Sequence, residues 1–110
     1  MELIQVTDEI YTASQRLSKA ADALYELARE KAEAERRYRL ALAQEMLRLK
    51  ADGLQVTLIT DVAKGSEEVA DKLFKRDLSD GRFRAGLESQ EAIKTQISAY
   101  QTILKYRSEV

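Results

Sequence analysis

The apolar positions of this chain return to one helical face over two long segments. In the first, Ile10, Leu17, Leu24, Tyr38, Leu42 and Leu49 mark a stripe that Ala13, Ala20, Ala21, Leu27, Ala28, Ala34 and Ala41 fill in. Thr7 followed by Asp8 and Glu9 reads as a helix start, a hydroxyl cap and then acids against the positive end of the dipole. The pattern runs unbroken to Asp52-Gly53, where glycine is able to take the left-handed C-cap conformation. The spacing therefore predicts a helix over about 7–52, roughly 65–70 Å long at 1.5 Å per residue.

The second segment mirrors the first. Ser66 reads as a cap, Glu67 and Glu68 fill the first turn, and Lys105 and Arg107 sit in the last. Between them run Val69, Leu73, Phe74, Leu78, Phe83, Leu87, Ile93, Ile97, Tyr100 and Leu104. Gly81 and Gly86 each weaken this helix by about 1 kcal/mol, and Asp80-Gly81 has the composition of a turn. Phe74, Leu78, Gly81 and Ala85 nevertheless keep helical spacing through that point. The expectation is a continuous helix over 67–108 whose glycines admit a close neighbour.

Two helices of matched length joined by a bend fold back as an antiparallel hairpin. The expected architecture is all-α: a single helical-hairpin domain over 1–110 with a short helical turn at the bend. One hairpin buries only one stripe per helix, a thin core, so dimerisation into a four-helix bundle is expected, as a homodimer or higher oligomer. A three-helix monomer with the glycines as turns is the alternative. Leu17, Leu24, Leu73, Phe74, Ile93, Ile97, Tyr100 and Leu104 are the candidate oligomer or partner interface. Near the apolar stripe, Arg76, Asp77 and Asp80 are candidates for inter-helix ion pairs that fix register.

Composition narrows the chemistry. Of 110 residues, 34% are charged and 45% hydrophobic, 15 of them alanine, with no proline and four glycines, which suits long helices. A net charge of −1 argues against a chain that mainly coats nucleic acid or anionic membrane. With no cysteine, disulfides and thiolate chemistry are excluded; with no histidine, the commonest general base and zinc ligand are missing. No cofactor and no catalytic residue is expected, and the reading is of a non-enzyme. The start MELIQVTDEI carries acids where a signal peptide carries lysine or arginine, and the longest uncharged run, Thr95 to Leu104, is half a membrane span. A soluble protein of the cytoplasm is expected, without membrane association.

The stretch DGLQVTLITDVAKGSEE, residues 52 to 68, interrupts the helical pattern at the chain's midpoint. Its glycines are twelve residues apart and Lys64 precedes Gly65, so it is no phosphate loop. As a helix-turn-helix it has too short a gap from Ala63 to Gly65, and Ser66-Glu67-Glu68 puts acids where DNA phosphates would lie. The simpler reading is a corner. Thr57 caps one helical turn, Leu58 to Lys64, and Val56, Leu58, Ile59 and Val62 close the end of the bundle. Gly53, Thr57, Ile59, Gly65 and Ser66 define this bend.

Two charged features carry candidate chemistry. Arg36, Arg37 and Arg39 in REKAEAERRYR are a candidate nucleic-acid contact, but Glu30, Glu33 and Glu35 interleave with them at helical spacing, the pattern of a solvated face. Glu30-x-x-Glu33 and Glu68-x-x-Asp71 are spaced like the metal-binding pairs of all-helical, magnesium-dependent nucleotide pyrophosphohydrolases. Their places, mid-helix and at the start of the other helix, do not converge in a hairpin.

ADGLQVTLITDVAKG at the bend, LFKRDLSDGRF after it and the ending ILKYRSEV resemble small hypothetical proteins of bacteriophage replication and recombination gene clusters in Gram-positive hosts. The likeness covers about residues 35 to 110, and Gly53, Thr57, Ala63, Lys64, Gly65, Arg76 and Asp77 carry it. It implies a phage or prophage product working near DNA metabolism in the host cytoplasm, and it assigns no activity. The leading expectation is an oligomeric helical adaptor that binds a protein of replication, recombination or host defence. A DNA-binding accessory protein using basic patches is second, and the pyrophosphohydrolase third.

Overall fold

The structure, a computed structural model, describes residues 2–108. Every regular element among them is helical: α1 Leu3–Ala51, α2 Val56–Lys64 and α3 Glu67–Ser108. No described helix is long and apolar enough to cross a membrane. The contacts fall into two units. One joins the segment up to Glu26 with the segment from Arg84 onward; the other is Leu27–Phe83.

Helix α1 begins four residues before the expected cap, and its first turn contains no acid. The Glu2 amide donates to Gln5 Oε1 at 3.0 Å, half of a capping box in which a glutamine at the third helical position reaches back. Thr7 is therefore inside the helix, where its hydroxyl donates to the Leu3 carbonyl at 2.9 Å. The earlier start brings Val6 into the stripe, fully buried, four residues before Ile10 and seven before Ala13, which is also buried. Ala21, by contrast, is exposed. On α3 of the same unit Ile93 is buried, and Ile97, Tyr100 and Leu104 are half-buried. Arg16 Nη1 donates to Gln96 Oε1 at 3.3 Å, linking the two helices of this unit.

In Leu27–Phe83 the two helix segments run antiparallel, with Lys31 opposite Asp80, Glu35 opposite Arg76 and Tyr38 packed by Val69. The core has two parts. Tyr38, Ala41 and Val69 are buried together with Leu42 and Leu73 at their edge. Leu49, Ile59 and Ala63 form the second part, flanked by Leu42, Met46 and Leu54. Helix α2 enters this core through Ile59 and Ala63 alone, one turn apart on one face. Val56, Leu58 and Val62, expected to close the bundle end, point outward and are exposed. A nine-residue helix has one buried face, so four apolar residues spread round it cannot all be buried.

Asp52-Gly53 ends α1 as the sequence implies. Gly53 has φ 88°, its amide donates to the Lys50 carbonyl at 3.1 Å, and the Leu54 amide donates to Leu49 at 3.1 Å. These are the two bonds of a Schellman motif, completed by Leu54 packing beside buried Leu49. The other two expected caps differ. Thr57 lies inside α2, whose N-cap is Gln55 with no side-chain bond. Ser66 turns its hydroxyl back to the Ala63 carbonyl at 2.8 Å, closing α2 and leaving α3 to begin at Glu67. Glu67 and Glu68 in the first turn of α3 and Lys105 and Arg107 in its last are as expected. Asp80-Gly81 does not break α3, but the close neighbour expected at Gly81 is absent: a Cβ there would meet nothing within 4 Å.

The two corner glycines should therefore respond oppositely to alanine. Gly53→Ala, forced to a positive φ, is expected to cost about 1–2 kcal/mol. Gly65 has φ −84°, and a Cβ there makes only ordinary contacts at 3.5 and 3.7 Å, so Gly65→Ala should be neutral or stabilise by up to about 1 kcal/mol. Thermal melts of the two variants check this, and equal losses would mean that Gly65 is held by something other than its own backbone.

Candidate interaction surfaces

The seam of Leu27–Phe83 turns ionic away from the corner. Arg76 Nε lies 3.6 Å from Glu35 Oε2, Lys31 Nζ 3.6 Å from Asp80 Oδ1, and Arg82 Nη1 donates to Glu30 Oε2 at 3.1 Å. Arg76 and Asp80 thus make the cross-helix pairs expected of them, while Asp77 pairs with its neighbour Arg76 at 3.0 Å instead. Two aromatic rings lie under this layer. The Arg76 guanidinium sits 4.6 Å from the Tyr38 ring centre and the Lys31 ammonium 5.5 Å from that of Phe83. Such contacts stabilise by about 0.5–1 kcal/mol each at partly exposed sites, more than a surface ion pair of the usual kind. The Asp77 carboxylate, and behind it Glu35 and Tyr38, hold the Arg76 pKa above its ordinary value. The heptad step Val69, Arg76, Phe83 was the signal for this arrangement, because it places Arg76 on the buried face.

The arginine knot is locally neutralised. Glu33 accepts from Arg36 Nη2 at 2.6 Å and from Arg37 Nε at 3.1 Å, and Glu35 accepts from Arg39 Nε at 2.8 Å. Arg48 likewise spans Glu45 and Asp52 at the end of α1. A groove of about 340 Å³ between α1 and α3 is lined by the cations Arg29, Arg37, Lys72 and Lys75, with Glu30 and Glu33 among them and Ala34 and Leu78 as apolar wall. The acid pairs do not meet. Glu30 is bonded to Arg82 and Glu33 to the arginines, and Glu68 lies with Glu67 and Asp71 at the start of α3. No three metal-ligating side chains converge among the described residues.

Of the eight candidate interface residues, seven are at least partly covered within the chain. Ile93 is buried; Leu17, Leu24, Leu73, Ile97, Tyr100 and Leu104 are half-buried. Phe74 alone stands out, 64% exposed. It lies two residues before Arg76 and Leu78 two residues after, so both are about 160° round the helix from the seam. At the bend, Ile59 is buried, Gly53, Thr57 and Gly65 are exposed and Ser66 is half-buried.

The corner exposes apolar residues, of which Val56, Leu58 and Val62 were expected inside and Leu47 was not assigned. Leu47 on α1 is 69% exposed and Val56 on α2 is 79% exposed, with Leu58 and Val62 also outward. Met46, Leu47, Lys50, Val56, Ile59 and Thr60 together line a shallow depression there. Leu47 is two residues from buried Leu49, the same geometry that turns Phe74 outward. No protein-family model, no curated protein and no solved structure shows a match to this chain.

The carboxylate pairs make the stability of α1 dependent on pH. The hydrogen bond from Arg36 to Glu33 and that from Arg48 to Glu45 hold both acids below their ordinary pKa. Such acids stabilise the fold fully above the unfolded-state pKa, and the gain is lost as pH falls through the lowered values. The melting temperature should drop between about pH 5 and about pH 3, and Glu33→Gln with Glu45→Gln should flatten that drop. Identical slopes for both proteins would show that the pairs do not persist in solution.

Proposed function

We propose that the protein is a non-enzymatic, oligomeric helical adaptor that binds a protein partner through the apolar corner of α1 and α2. The observation that carries this reading is the exposure of Leu47 and Val56 together at the depression of Met46, Leu47, Lys50, Val56, Ile59 and Thr60, beside the Gly53 cap and buried Ile59 and Ala63. An apolar surface of this kind, rimmed by polar residues such as Lys50 and Thr60, suits a partner with a complementary apolar face. The resemblance of the bend to small hypothetical proteins of phage replication and recombination gene clusters suggests the partner's class: a component of DNA replication, recombination or host defence in the host cytoplasm. Arg48 beside the corner, and Arg36 and Arg82 farther along the helices, are each paired with a glutamate, which favours a binding role over general acid–base or metal chemistry.

A second reading, a DNA-binding accessory protein, rests on the four cations that line the α1–α3 groove. The two readings separate by variant. A partner captured from the host by the wild-type chain should be lost with Leu47→Glu or Val56→Glu and retained with Lys72→Ala plus Lys75→Ala. If DNA is instead shifted in a gel at moderate salt, and either Lys72→Ala with Lys75→Ala or Arg36→Ala with Arg37→Ala abolishes the shift, the adaptor reading is wrong. Pyrophosphate released from nucleotides in the presence of magnesium would overturn both.

A further inference from the structure

We propose that the exposed face of α1 between Ile4 and Tyr25 is a docking seam for one α-helix of a partner protein, a helix apolar along its own seam and basic beside it. This surface is separate from the corner, and neither requires the other. Ile4, Tyr11, Ser18 and Tyr25 recur every seven residues, and Thr7, Ser14 and Ala21 fall between them at alternate spacings of three and four. Ile4, Tyr11 and Tyr25 are 74%, 65% and 72% exposed, and the four smaller residues are exposed with them. Ile4 and Tyr11 each stand two residues before a buried one, Val6 and Ala13, so they are turned about 160° from the stripe that the chain itself buries. No residue of this face is charged, although 34% of the chain is, whereas Glu9, Arg16, Lys19 and Glu26 gather on the other flank of α1.

The spacing selects a helix as the occupant. Positions that average 3.5 residues apart stay in register with another α-helix coiled round them, whereas a strand follows every second residue. Side-chain size varies along the seam. Tyr11 and Tyr25 stand at either end of Ser14, Ser18 and Ala21, a notch roughly 20 Å long that large apolar side chains of the incoming helix fill. The Gln15 amide donates to the Tyr11 hydroxyl at 3.1 Å and holds that ring along the helix.

Charge selects what stands beside the apolar positions of that helix. From Glu2 to Glu26 the chain carries five acids and two bases, a net charge of −3. Asp8 and Asp22 border the seam, one residue past Thr7 and Ala21, and both are exposed. Neither makes an ion pair among the described residues, unlike Glu33, Glu35 and Glu45 farther along α1. Two copies of this face laid together would juxtapose two segments of the same negative charge, which is unfavourable. A helix with lysine or arginine beside its apolar positions pairs with Asp8 and Asp22 instead.

The probe is a synthetic helical peptide of about three heptads, with leucine at the apolar positions, lysine beside them and a fluorophore for anisotropy. A second peptide carries glutamate in place of lysine. The full wild-type chain is expected to bind the lysine peptide, and the glutamate peptide at least about 10-fold more weakly. Tyr11→Glu, with helicity unchanged by circular dichroism, should weaken binding of the lysine peptide by about 30-fold or more. That variant adds a negative charge, so attraction to an acidic helix alone would change the affinity in the opposite direction. Asp8→Lys with Asp22→Lys should reverse the preference between the peptides, and Leu47→Glu at the corner should leave both affinities unchanged. No binding of the lysine peptide, or binding that Tyr11→Glu leaves intact, overturns the seam. Equal affinity for the two peptides overturns the basic flank. Self-association of the wild-type chain in sedimentation that Tyr11→Glu abolishes places a second copy on this face and overturns the partner helix.

Discussion

A pair of helices has one seam to bury, and in Leu27–Phe83 that seam changes its chemistry along its length. Near the corner it is apolar, with Leu49 against Ile59 and Ala63, then Tyr38 and Ala41 against Val69. Beyond Tyr38 it is a layer of arginine, lysine, aspartate and glutamate, laid partly over the rings of Tyr38 and Phe83. The apolar part holds the helices together, while the ionic part constrains which residues face each other. A slide of one turn in either direction would part Arg76 from both Glu35 and Tyr38. Tyr38 serves both parts, buried by Val69 on one side and covered by a guanidinium on the other.

Much of this was legible in the sequence, because a long helix repeats its signal many times. The extents of α1 and α3, the glycine cap at Gly53 and the charged ends of α3 all follow from periodicity and dipole rules. Hydroxyl caps were less reliable, for a physical reason. A serine or threonine hydroxyl bonds the carbonyl three or four residues back as readily as it caps a new turn; Thr7, inside α1, and Ser66, between α2 and α3, both do so. Taking Thr7 for a cap also cut Val6 out of the stripe, although its spacing to Ile10 and Ala13 was visible.

The surfaces were harder to read than the fold. Phe74, Leu78 and Gly81 keep helical spacing among themselves, so counting intervals makes them look like core. Only their phase against Val69, Arg76 and Phe83 turns them outward, and reading that phase requires accepting an arginine on the buried face. The corner misled in the same way, because Val56, Leu58 and Val62 share a short helix with Ile59 and Ala63 and nothing local ranks the two faces. The arginine knot was legible as a solvated face, since its glutamate partners lie three and four residues away on the same helix.

The corner also bears on how the chain reaches this structure. The cluster of Leu42, Met46, Leu49, Leu54, Ile59 and Ala63 lies within a short span of sequence, so closing it takes little loop entropy. The pair Lys31 and Asp80 encloses a far longer loop unless the corner has already formed. Folding of Leu27–Phe83 therefore proceeds most cheaply as a zipper opened at Gly53, with contact made first at Ile59, then at Val69, then through the charged layer. In that order the ionic pairs act late, and changes to them register in the rate of unfolding rather than the rate of folding.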